Sequence, residues 1–223
     1  MSAFGFRKPE DLPGVFPIFP LAGALIFPRS TLPLNIFEPR YLNLIDDVLA
    51  GQRLMAMIQP MERGMGIGKP SLAGVGCLAR ITSFTETPDG RYLITLTGIN
   101  RFTLVREVET LAPYRQIAAD YSRFRDDLNA PVGADINRVG LSAALSRYVE
   151  VNGFSADWSA VEEAPAETLV NALAALCPFE PEEKQALLEA GNLRERVDAL
   201  IALLELNSTS RGAGGPTPGG HLQ

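Results

Sequence analysis

GVGCLARITSFTETPDGRYLITLTGINRFTLVREV, residues 74–108, decides the fold. Two runs rich in Val, Ile, Leu, Phe and Thr flank Pro88-Asp89-Gly90, which puts proline where φ near −65° is wanted and glycine where φ is positive. The pattern predicts a hairpin of two long strands, Gly74 to Thr87 and Arg91 to Val108. Working outward, short apolar runs broken by Gly, Pro and Asp predict further strands at Val15 to Leu21, Thr31 to Phe37, Arg53 to Gln59 and Tyr114 to Arg123. One helix interrupts them. Pro39 suits a first helical turn, Tyr41, Leu44, Ile45, Val48 and Leu49 recur at helical spacing, and Gly51 suits the position just past the end.

From about Asp135 the apolar period changes to 3.6. Asp135 to Val151 and Pro165 to Leu176 read as amphipathic helices, Pro181 opens a short helix ended by Gly191, and Asn192 with Glu195 forms a capping-box-like start to a last one. In that last helix Leu193, Val197, Leu200, Ile201 and Leu204 share a stripe, while Trp158 is expected to pack between helices. The class is therefore α+β: a β domain over residues 1–124, a helical bundle over 125–206 and a disordered tail over 207–223. The joint falls in the polar stretch Ser122 to Ala134.

The 223 residues are 46% hydrophobic and 21% charged, enough for a globular core without disulfides or a structural metal. A net charge of −6, from 20 basic and 26 acidic residues, repels phosphate backbones unless the cations cluster, and no cluster stands out. The single histidine, His221, lies in the Gly/Pro-rich tail, which excludes Ser-His-Asp, Cys-His and HExxH chemistry on an ordered element. Cys77 and Cys177 sit in apolar stretches with no CxxC pairing and read as buried thiols of a reduced compartment. Met1 to Pro9 lacks the apolar core of a signal peptide, and Val15 to Phe27 is broken by Pro17 and Pro20 and too short to span a bilayer, so a cytoplasmic location and no membrane partner are expected.

The motifs narrow chemistry further. Gly64 to Ser71 holds glycines and Lys69, but the spacing to lysine is one residue short of a P-loop and Pro70 stands where a hydroxyl is needed. A Ser-Lys dyad would need an activated lysine. Lys8 lies in the N-terminal stretch, Lys69 in this loop, and Lys184 is expected on the solvent side of its helix. Asp46-Asp47, Asp126-Asp127, Glu162-Glu163 and Glu182-Glu183 read as solvated acidic faces. Neither a cofactor nor a metal is expected. Polar anchors among apolar neighbours occur at Glu38-Pro39-Arg40-Tyr41 and at Asn100-Arg101-Phe102, which either lock the β part together or line a recognition groove.

Phe16-Pro17-Ile18-Phe19-Pro20-Leu21, Leu25-Ile26-Phe27-Pro28, Leu32-Pro33-Leu34, Phe37-Glu38-Pro39-Arg40-Tyr41, Val75 to Ile81, Gly98 to Phe102 and Glu182 to Glu189 with Leu193 to Arg196 occur in one order along the chain. Over about residues 13–206 this order resembles the N-terminal, substrate-binding domain of ATP-dependent Lon proteases, in particular its stand-alone members. The resemblance implies a PUA-like, twisted and partly closed β part with one helix, followed by a helical bundle. It also implies a non-catalytic module that captures unfolded or apolar polypeptide segments, with docking to a separate ATPase or protease and self-association among its roles. Walker motifs and the peptidase of the full protease have no counterpart in these residues. An apolar groove or unpaired strand edge would accept the peptide, with Phe37, Tyr41, Phe84 and Phe102 as liners and Arg40 and Arg101 as anchors. The rival reading is a PUA-like RNA or modified-base binder, and a third is an enzyme built on buried carboxylates.

Overall fold

The computed structural model describes residues 3–61, 69–129 and 136–212; the glycine run 64–68, the end of the predicted joint and His221 lie outside them. The hairpin forms as the turn chemistry requires. Strands β4 (Ser71–Glu86) and β5 (Tyr92–Val108) pair antiparallel around Gly90, whose φ of 77° only glycine adopts without strain. The Thr87 amide donates to the Arg91 carbonyl at 2.8 Å to close the turn.

Strands β1 (Val15–Pro20), β2 (Thr31–Ile36), β3 (Leu54–Met61) and β6 (Gln116–Asp120) complete a six-stranded sheet in the order β2-β5-β4-β3-β1-β6. A further β5–β6 pairing closes β5, β4, β3, β1 and β6 into a barrel, so β2 hangs outside the ring on the first half of β5 with its other edge unpaired among the described residues. β1 and β3 run parallel, and the connection between them carries β2 and helix α1 (Pro39–Ala50). The strand faces divide by alternation. Leu54, Ala56 and Ile58 point into the barrel with Phe16, Ile18, Leu78 and Phe102, while Met55 and Met57 point outward under Tyr41, Leu44, Ile45 and Val48 of α1.

The helical part contains α2 (Arg138–Asn152), α3 (Trp158–Glu163), α4 (Ala166–Leu176), α5 (Pro181–Glu189) and α6 (Leu193–Gly212). The last start is as read: the Glu195 amide donates to Asn192 Oδ1 and the Gly191 amide to Glu195 Oε2. Three expectations need correction. Residues 207–212, assigned to the tail, continue α6, where Ser208 is buried with its hydroxyl on the Leu204 carbonyl. Trp158 opens the short helix α3 and is 40% exposed instead of packed between helices, and α3 itself has too few apolar residues to show a period. Lys184 is buried, because its ammonium donates to the Gly23 and Ala175 carbonyls at 2.9 and 3.0 Å, joining the loop after β1 to the end of α4.

We propose that the β and helical parts are the chain's two structural units, joined by one core. Leu25, Phe27 and Val75 of the β part, with Phe124 just after it, belong to the same apolar cluster as Leu141, Leu145, Val170, Leu187 and Leu200. The loop carrying Phe27 lies on β5 at Gly98, whose amide donates to the Ser30 carbonyl and whose carbonyl accepts from the Arg29 amide. A Cβ on Gly98 would fall on the Phe27 carbonyl. Gly98→Ala is expected to cost about 3 kcal/mol by overpacking backbone on backbone. Gly74→Ala, with nothing within 4 Å of the new methyl, should stay within about 0.5 kcal/mol; urea unfolding of both variants checks this contrast.

Candidate functional site

Between the outer barrel face and the helices lies a knot of buried charge. A bulge in the β4–β5 pairing at Leu78/Ala79 precedes Arg101, which is 2% exposed. Its Nε and Nη2 donate to the two carboxylate oxygens of Asp127, each at 2.8 Å, and Asp127 also accepts the Arg101 amide at 3.1 Å. Nη1 donates to the Leu188 carbonyl at 2.9 Å and to that of Ala190, so the guanidinium satisfies the C-terminal carbonyls of α5 and places its charge at the negative end of that helix. The Phe124 ring lies beneath it at 4.2 Å.

Arg196 of α6 grips the same helix from the other side. Its Nε donates to the Leu187 carbonyl, its Nη1 to Asn171 Oδ1, and it stacks 4.3 Å over Phe27. Burial first, and then the nearby Arg101, push its pKa down to about 9. Gln59 and Gln185 add hydrogen bonds from α5 to β3 and β4. Helix α5 is thus held by strands on one flank and helices on the other.

Arg29 extends this knot to the surface. It holds Glu167 of α4 through Nε and Nη2 and donates from Nη1 to the Asp127 carbonyl. Beside this pair opens a cleft of about 430 Å³. One wall is β2 and the loop before it, through Leu25, Pro28, Leu32 and Pro33; the other is α4, through Ala172, Ala175 and Leu176, and Leu176 is 80% exposed at the rim. Along β2 exposure alternates, with Thr31, Pro33 and Asn35 outward and Leu32, Leu34 and Ile36 inward. The cleft therefore combines apolar walls, one fixed ion pair and, over Thr31 to Pro33, about 10 Å of a strand edge whose backbone groups have no strand partner among the described residues.

The six residues expected to line a groove do not come together. Phe37 follows β2 and is 62% exposed. Phe84 sits on the hairpin, edge-to-face with Tyr92 at 4.9 Å. Arg40 pairs with Glu38 and lies 4.5 Å over the ring of Tyr41, which is buried against Phe19. Arg101 and Phe102 are the corrections: Phe102 fills the barrel beside Phe16, and Arg101 is enclosed by Asp127 and α5, so neither offers surface to a peptide. Sequence reading missed Arg29, Asp127, Glu167 and Leu176. Asp127 stands in an acidic pair and Glu167 on a helix face, where solvation is the ordinary reading, and only the fold supplies their arginines.

Among the described residues no group of three or more His, Cys, Asp and Glu could hold a metal, no Asp or Glu is fully buried, the Asp127 side chain staying 13% exposed, and no helix is long and apolar enough to cross a membrane. Cys77 and Cys177 are free and buried, which raises both thiols, to about 12 and about 11.

A closed barrel carries a flanking edge strand and is backed by helices, and an apolar cleft opens beside that strand. The chain belongs to the family of the ATP-dependent protease La (LON) substrate-binding domain, whose model matches residues 15–205. The Lon protease of Roseiflexus castenholzii is 26% identical over 202 residues, 89% of this chain and 25% of that protein. Lon protease 2 of Myxococcus xanthus is 27% identical over 210 residues, 92% of this chain and 25% of its own length. The chain thus spans about a quarter of these relatives. In fold it is similar to a Lon N-terminal domain protein from Xanthomonas campestris, with TM-score 0.58 and 22% identity over 84% of this chain and 97% of that one. The N-terminal domain of a Mycobacterium avium complex Lon protease gives 0.60 and 12% over 85% and 97%.

Removing the Asp127 carboxylate leaves Arg101 charged and enclosed, so Asp127→Ala is expected to cost about 3–5 kcal/mol in urea unfolding. Arg101→Met combined with Asp127→Ala should cost less than the two single changes added together, because the second change removes what the first left unpaired.

Proposed function

We propose that this chain is a non-catalytic module that captures extended, apolar segments of unfolded polypeptides in the cleft between β2 and α4. The observation that carries the reading is the pairing of an open strand edge with an apolar wall across from it. A strand edge binds any sequence through backbone hydrogen bonds, while alternate side chains of the guest enter the apolar wall and favour exposed hydrophobic stretches. Selectivity for the unfolded state follows, since folded proteins present few free strands with apolar side chains. Phe37 extends the apolar surface at the end of β2, and Pro33, lacking an amide, limits how far a guest sheet can propagate.

Membership of the substrate-binding family supports polypeptide recognition, and its relatives' name as Lon proteases supports a role beside an ATP-driven protease. We further propose that the chain delivers its guests to such a protease as an adaptor, in the cytoplasm, without cleaving them. The arginines of the junction are engaged by Asp127, Glu167, Asn171 and helix carbonyls, which leaves them no role toward the phosphates of an RNA.

Titration with a fluorescent, carboxymethylated and permanently unfolded polypeptide tests the reading. Binding is expected, and Leu176→Asp or Leu32→Asp should weaken it about tenfold, ~1.4 kcal/mol of lost apolar contact, with Phe84→Ser near wild type. Equal binding by both cleft variants, or cleavage of casein by the purified chain with or without ATP, would contradict it.

A further inference from the structure

A second recess lies away from the cleft, beside the first turn of α1, with a volume of about 160 Å³. Prolines from four separate segments, Pro20, Pro60, Pro70 and Pro113, wall it, so its shape is set by backbone with little freedom to collapse. Tyr41 also lines it, and this residue exposes 7% of its surface. Its ring is fixed between Phe19 at 4.3 Å and the Arg40 guanidinium at 4.5 Å. Its hydroxyl has no hydrogen-bond partner among the described residues, although the charges of Arg40, Glu38 and Arg115 reach it. Burial raises the phenol, so at neutral pH the group remains an O–H donor.

The cations around the recess differ in what they already hold. Arg115 donates through Nε and Nη2 to Glu107 and through Nη1 to the Pro70 carbonyl at 3.0 Å, and Arg40 pairs with Glu38 at 2.8 Å. Tyr114, also on the wall, gives its hydroxyl to Asp47 at 2.6 Å. Glu38, Asp47 and Glu107 are therefore each engaged by a partner. Lys69 is left with no carboxylate within 4 Å among the described residues, although its charge helps lower Glu107. A rigid, mostly apolar recess thus presents two donors unengaged among the described residues, one neutral and one cationic.

We propose that this recess binds a carboxylate carried by a polypeptide, with the Tyr41 hydroxyl and the Lys69 ammonium as its donors and the prolines enclosing the single residue that bears it. Arg40 and Arg115 hold the positive field without direct contact, since their own carboxylates fix them. The volume admits one side chain or one chain end. The two sources of such a group are a C-terminal α-carboxylate and an internal Glu or Asp side chain. The inference stands apart from capture at β2 and would hold or fail independently of it.

The test uses the full chain and calorimetric titration with three short peptides of one sequence: a free C-terminus, an amidated C-terminus, and an amidated form with an internal Glu. Inorganic phosphate serves as a fourth probe. Binding of the free-acid or the internal-Glu peptide, but not of the plain amide, is expected, and which of the two binds identifies the source. Tyr41→Phe keeps the ring and removes only the donor; it should weaken that binding about fivefold, and Lys69→Gln at least as much. Lys8→Gln should leave it unchanged, and circular dichroism should show all three variants folded. Equal binding of the plain amide, phosphate competing as well as the carboxylate, unchanged binding in both Tyr41→Phe and Lys69→Gln, or no binding by any peptide would overturn the proposal. Should Tyr41→Phe unfold the chain, Lys69→Gln decides alone. Binding of the carboxymethylated polypeptide at the β2 cleft is measured in the same variants and is expected to persist.

Discussion

An arginine enclosed by protein must have every donor met and its charge balanced, and Arg101 meets this demand only where the barrel and the helices touch. Its carboxylate partner comes from the 3-10 segment after β6, its carbonyl partners from the end of α5, and its aromatic floor from Phe124. No one element could satisfy it, so its burial fixes the relative position of all three. Buried ion pairs add little net stability compared with apolar packing, but breaking one is expensive, which makes them good at excluding alternative arrangements. We take this pair as the device that sets one geometry between the two parts.

The cleft inherits that geometry. Its α4 wall is tied to its β wall by Arg29, which holds Glu167 on one side and the Asp127 carbonyl on the other. Asp127 therefore serves both the buried knot and, through its backbone, the surface ion pair. Width and direction of the cleft follow from the position of α4, and that position follows from α5, to which Arg196 and Asn171 bind it. Rigid walls spare the protein its own ordering cost on binding, which suits the proposed capture of many sequences with backbone hydrogen bonds as the common element.

The strands, α1 and the main helices were legible because their signals are local: Pro88-Asp89-Gly90 specifies its own turn, and the stripe of α1 specifies its own buried face. The α+β class and the family likeness followed from the same runs. The site was not legible in this way. Arg101 and Phe102 carry the composition expected of a groove, yet a bulge and a closed barrel turn both inward. Lys184 reads as a solvent-facing residue from its helix period, but a loop 161 residues earlier in the chain supplies the Gly23 carbonyl that pairs it. Arg29 lies 138 residues before Glu167, which sits on the helix that also carries Leu176, and nothing about their neighbours marks them until the fold brings β2 and α4 together.

The chain belongs to a substrate-binding family, and the account stands on where the proposed recognition of polypeptide occurs. Amide hydrogen exchange of the full chain, with and without the carboxymethylated unfolded polypeptide, reads this location directly. Slower exchange on binding is expected in Thr31–Ile36 of β2 and in the facing turns of α4, with α2 and α3 unchanged. Protection confined to α2 and α3, or none at β2 when the chain is saturated, would contradict the account.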